Sequence, residues 1–184
     1  MFGCPAAPTL SCRTGAKVQF QVVEKTVGKE QIKAKIDKLV ADTPLALFGD
    51  PLNGQTDYAV CLYDGSGTRI ATLVIPRTQQ SCSGKPCWKP SGSTGVKYTD
   101  KTLSSDGILQ LQLKGGVPTK GKVVFKAKNN GSKGQLELPT GLTLQLAGDI
   151  QATVQVRISN GTCFSGTVTN IRENSAVQFK ATQP

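Results

Sequence analysis

The stretch IQATVQVRI, residues 150–158, decides the fold. Ile150, Ala152, Val154, Val156 and Ile158 share one parity, while Gln151, Thr153, Gln155 and Arg157 share the other. Successive side chains of an extended chain point to opposite faces, so a period of two makes a strand with one apolar and one polar face. Such a strand belongs to an antiparallel sheet, packed on one side and wet on the other. Asn160-Gly161 follows, a dipeptide suited to a tight hairpin, and a second strand-like run opens at Cys163.

The same alternation recurs outward from this stretch. Val18, Phe20 and Val22 alternate with Lys17, Gln19 and Gln21. Leu109, Leu111 and Leu113 alternate with glutamine, as do Leu142, Leu144 and Leu146 with Thr143 and Gln145, and Val177 and Phe179 with Gln178 and Lys180. Turn signals such as Asp64-Gly65, Asp106-Gly107 and Asn130-Gly131 separate the runs. Glu30–Val40 reads two ways: Ile32, Ile36, Leu39 and Val40 form a helical face, and Ile32, Ala34 and Ile36 alternate as a strand. The turn at Val27-Gly28 favours the strand. About a dozen short strands predict an all-β fold, an antiparallel two-sheet β-sandwich, immunoglobulin-like or jelly-roll, stapled by disulfides. The expected organisation is a disulfide-tied N-terminal segment, 1–16, followed by a single β-sandwich domain, 17–184.

The six cysteines are Cys4, Cys12, Cys61, Cys82, Cys87 and Cys163. They lack the repeated C-x-x-C pairs of a zinc site. An even number without metal spacing reads as disulfides, hence an oxidising compartment and an extracellular or cell-surface location. Spacing predicts Cys4–Cys12 across a proline-bearing loop, Cys82–Cys87 across a four-residue turn, and Cys61–Cys163 as the long-range staple. No stretch approaches the ~20 apolar residues of a membrane span. The opening Met1-Phe2-Gly3-Cys4 has neither the basic nor the apolar region of a signal peptide, so the export signal is expected to be missing from this chain.

The 184 residues contain no histidine, which removes the commonest general base and any Ser-His-Asp triad. There is no G-x-S-x-G elbow, P-loop or H-E-x-x-H motif. Asp100 and Asp106 bracket a hydroxyl-rich loop of the kind calcium favours, yet Asp106-Gly107 is more simply a β-turn. The expectation is a non-enzymatic protein without cofactor or metal. Trp88 follows Cys87 and is read as a core residue, as are Phe20, Phe125 and Phe179.

The net charge of +10 points toward acidic partners. Lys114, Lys120, Lys122, Lys126, Lys128 and Lys133 form a stripe uninterrupted by acid. Such a stripe attracts polyanions, and it is also what a sheet edge wears to resist unwanted pairing, the reading preferred here.

Cys61-Leu62-Tyr63-Asp64, Gly84–Lys89, Lys97-Tyr98-x-Asp100-Lys101, Asp106-Gly107-Ile108 and Gly161–Phe164 together resemble a set of exported bacterial disulfide-containing β-sandwich domains. The resemblance implies export and the sandwich; it implies no activity and carries no catalytic residues.

Two functions are therefore expected. The first is an extracellular structural protein, a self-associating subunit of a surface or filamentous assembly. Phe2–Leu10 or the strand Ala176–Lys180 would then serve as its connector by strand addition. The alternative is an extracellular module binding acidic polysaccharide or another polyanion, with no specific nucleic acid partner.

Overall fold

The computed structural model describes residues 2–183, and Met1 and Pro184, the outer ends of the two expected units, lie outside the described residues. Fourteen strands dominate it. They are β1 (Arg13–Val23), β2 (Gln31–Leu39), β3 (Tyr58–Tyr63), β4 (Arg69–Ile75), β5 (Ser81–Cys82), β6 (Lys85–Pro86) and β7 (Trp88–Pro90). The remainder are β8 (Gly95–Thr99), β9 (Ile108–Lys114), β10 (Lys122–Lys128), β11 (Ala152–Ile158), β12 (Cys163–Val168), β13 (Asn170–Ser175) and β14 (Gln178–Thr182).

The fold is all-β, but the two sheets expected from the pattern are joined. Twelve strands form one hydrogen-bonded sheet, curled into a half-barrel, whose main order is β4-β3-β11-β12-β1-β2-β10-β9-β8-β7. β1 is the reason. Its Arg13 and Thr14 pair in parallel with Phe164 and Ser165 of β12, and its Gln19–Val23 pair antiparallel with β14. Its other edge carries β2 throughout. Gly15 sits where β1 changes neighbours, and a Cβ there would lie 2.5 Å from the Asp37 carbonyl oxygen. Only a residue without Cβ permits that approach.

The curl buries one face of every long strand in a single core. Gly166 of β12 faces β1 and β2 across it, where a Cβ would meet Val18 at 2.7 Å and Ile36 at 3.1 Å. Near the ends of the sheet Trp88 of β7 stacks against Tyr58 of β3, ring centroids 4.6 Å apart, and against Tyr98 of β8 at 5.3 Å. Trp88, Phe20, Phe125 and Phe179 are all buried. Burial pushes the Tyr58 and Tyr98 hydroxyls well above the usual phenol range.

β3, YAVCLY, is buried on both faces, and it lacks the alternation of the other strands. Its inner face is core; its outer face, Ala59, Cys61 and Tyr63, is covered by Phe2 and Cys4. Residues 2–12 thus lie as a strap over the outside of β3, β11 and β12. The Arg157 guanidinium donates to the Gly3 carbonyl at 2.7 Å and sits over the Phe2 ring at 5.7 Å. The Gln155 amide holds Thr9 by two backbone contacts, and Tyr63 Oη donates to the Pro5 carbonyl.

This strap corrects the disulfide pairing. Cys82 joins Cys87, but Cys4 joins Cys61 and Cys12 joins Cys163. The proline-bearing loop between Cys4 and Cys12 is stretched along the sheet, so each end meets the strand beneath it and the two cannot meet each other. The three bridges place folding in an oxidising environment.

Two further expectations are overturned. Leu142–Gln145 is a short helix, α1, not a strand. The Glu24 carboxylate accepts hydrogen bonds from the Leu142 and Thr143 amides, capping its first turn, and Leu142 and Leu146 are buried one turn apart. Ile150 does not join β11; it is 80% exposed in a turn whose Asp149 carboxylate accepts from the Gly65 amide.

Candidate polyanion interface

The outer face of β14, β1, β2, β10, β9, β8 and β7 is where the polar half of each alternating pattern arrives. Register sets its residues in rows that cross the strands. One row runs Lys180, Gln21, Lys33, Lys126, Gln110. The next runs Gln19, Lys35, Val124, Gln112, Lys97, Lys89. A third runs Lys17, Asp37, Lys122, Lys114.

Three of these neighbours are like-charged residues placed directly opposite one another: Lys33 with Lys126, Lys114 with Lys122, and Lys89 with Lys97. Directly opposed like charges destabilise a sheet. Among the described residues the ion pairs are Lys35–Asp37 and Arg77–Asp57, both at 2.6 Å, so most of the lysines on this face have no ion-pair partner. Burial works against ionisation of Asp37, but Lys35 and Lys122 outweigh it and hold its carboxyl below the usual range. Glu173, opposite Lys180 on β13, is an acid at the margin of the face.

Between the first two rows lies an open groove of about 380 Å³. Its floor follows the paired residues Ala181, Phe20, Ala34 and Phe125, so it runs across the strands. Lys180, Gln21, Lys33 and Lys126 line one side, and Gln19 and Lys35 the other. A second hollow of about 560 Å³ lies at the β7–β8 end, lined by Lys85, Lys89, Lys97 and Lys101 beside the Cys82–Cys87 bridge.

Of the lysine stripe, Lys114, Lys122, Lys126 and Lys128 stand on this face by strand parity. Lys120 belongs to the β9–β10 connection and Lys133 to a 3-10 turn, Gly131–Lys133. The stripe guards no edge, because β10 lies between β2 and β9. Stripe reasoning missed Lys33, Lys35, Lys97 and Lys180, although each has the polar parity of its own strand. Sequence adjacency picked out β10 and its flanks; the register between strands assembles the face.

The other candidates are occupied by the protein itself. Asp100, fully buried, accepts hydrogen bonds from the amides and hydroxyls of Thr102 and Ser104. Asp106 accepts from the Val74 amide on the outer edge of β4. Both carboxylates of the loop considered for calcium thus bind donors of the chain. The two connectors expected for assembly are also engaged: Phe2–Leu10 is strapped down, and β14 lies between β1 and β13. No family model, curated protein or solved structure matches the chain.

Proposed function

We propose that the protein is a non-catalytic extracellular module that binds an anionic polymer on its lysine face. The observation that carries this reading is the set of opposed lysine pairs, two of them between interior strands. Each costs of order 0.2–1 kcal/mol of stability. Solubility needs charge on the surface, not like charges stacked in register, whereas a polyanion turns that repulsion into attraction. Local conflict of this kind is characteristic of functional surfaces.

One substitution separates the two roles. Lys126 faces Lys33 on one side and Gln110 on the other. K126E sets an acid opposite Lys33, so the fold gains roughly 0.2–1 kcal/mol while the face loses two units of positive charge. Titration with polygalacturonate should show binding by the native protein at low salt and its collapse as the Debye length falls from about 30 Å at 0.01 M to 3 Å at 1 M. K126E should bind several-fold more weakly with an unchanged or higher Tm. Native protein that binds no anionic polymer at low salt, or K126E that binds as well as native, refutes the proposal.

A second reading, a subunit of a surface assembly, rests on apolar residues left exposed at one end. Val27 is 96% exposed, beside Gly28, which approaches Leu136, itself 58% exposed. Sedimentation velocity at increasing concentration tests it. A V27D/L136D variant that abolishes self-association supports it, and a native protein monomeric throughout sinks it.

A further inference from the structure

The groove and the hollow lie on one face, and register connects them. From Val124 at the groove the second row passes to Gln112, then Lys97, then Lys89, which line the hollow. We propose that they are two subsites for one unbranched acidic polysaccharide lying across the strands, from β14 to β7. The proposal rests on the polymer-binding reading and names its ligand.

Span argues for a chain rather than a small anion. The path crosses β14, β1, β2, β10, β9, β8 and β7. Six strand spacings of about 4.8 Å make about 29 Å. That is several times the Debye length of about 8 Å at physiological salt, so the ends of the path do not act on one small ligand.

Chemistry argues for a saccharide. Glutamines 19, 21, 110 and 112 are interspersed among the lysines along the rows. Their amides offer both donors and acceptors, matching a hydroxyl-rich ligand, while ammonium groups meet its acidic substituents. Every tryptophan and tyrosine, and Phe20, Phe48, Phe125, Phe164 and Phe179, is buried. Phe2 is half-buried under Arg157, on the strap outside β3. Single-stranded nucleic acid is held by stacking its bases on aromatic platforms, and this face offers none.

The test measures affinity against ligand length at low salt, using oligogalacturonates from a trimer up to chains spanning both hollows. Single-stranded oligonucleotides of matched charge number serve as the competing class. Joining two subsites through one chain raises affinity by about 100-fold or more over a single-subsite oligomer. K89A/K97A, with folding checked by Tm, should remove that gain for the long chain. Equal affinity of trimer and long chain per binding site, or a K89A/K97A variant that keeps the full length dependence, overturns the two-subsite path and leaves the polymer-binding reading standing. Oligonucleotides that bind tighter than oligogalacturonates of equal charge overturn the saccharide assignment. Failure of every anionic polymer to bind overturns the underlying reading instead.

Discussion

Removing the Cys12–Cys163 bridge should destabilise the protein more than removing either other bridge. The three bridges span 151, 57 and 5 residues for Cys12–Cys163, Cys4–Cys61 and Cys82–Cys87. In the chain-entropy model these separations correspond to about 5, 4 and 2 kcal/mol at 25 °C. A domain's whole stability is about 5–15 kcal/mol, so the first loss is a large share of it. For a chain of this size each kcal/mol moves Tm by about 2–4 °C, giving about 10–20 °C for C12A/C163A and about 4–8 °C for C82A/C87A. The comparison is fair in packing terms, because all four of these cysteines are buried and each variant loses two sulfur atoms. Differential scanning calorimetry of the double variants reads the order directly. If C82A/C87A lowers Tm as far as C12A/C163A, the cross-links do not act through the span they close, and the argument fails.

Two smaller perturbations test the core and the buried carboxylates. G166A should cost about 1–3 kcal/mol by overpacking, since its Cβ would press on Val18 and Ile36 across the core; chemical denaturation with an unchanged midpoint would contradict the close approach. Burial opposes ionisation of Asp100, but hydrogen bonds from Thr102 and Ser104 outweigh it and hold its carboxyl below the usual carboxylate range. A lowered folded pKa contributes stability that is full above the unfolded value and lost as pH falls through the folded one. Urea titrations should therefore show stability falling as pH drops below about 4, and D100N should flatten that fall at the expense of stability near neutrality. A D100N profile parallel to the native one would remove Asp100 from the account.

The strands were legible in the sequence wherever one face is core and the other water. Residues 152–158 and 17–23 announce themselves because burial and parity coincide there. The same logic misassigned Leu142, Leu144 and Leu146, because Leu142 and Leu146 also satisfy a helical turn and the Glu24 cap that selects the helix comes from distant sequence. Disulfide partners were illegible for a related reason. Cys61 points to the outer face of β3, and only the strap laid over that face explains why Cys4 is there to meet it. Of the interface, composition revealed the charge and one stripe revealed part of its position. The opposed pairs arise from register across strands, which no single segment encodes.

The shared strand has a consequence for how the molecule comes into being. β1 is made early, yet its partners include β12 and β14, translated more than a hundred residues later. A chain leaving the ribosome from its N-terminus holds this edge of β1 open until β12 and β14 emerge. Local pieces such as the β3–β4 and β9–β10 hairpins can form during synthesis. Closure around β1 is slow by virtue of its long-range pairings. The last of the fourteen strands to be made is thus one that completes the sheet around the first.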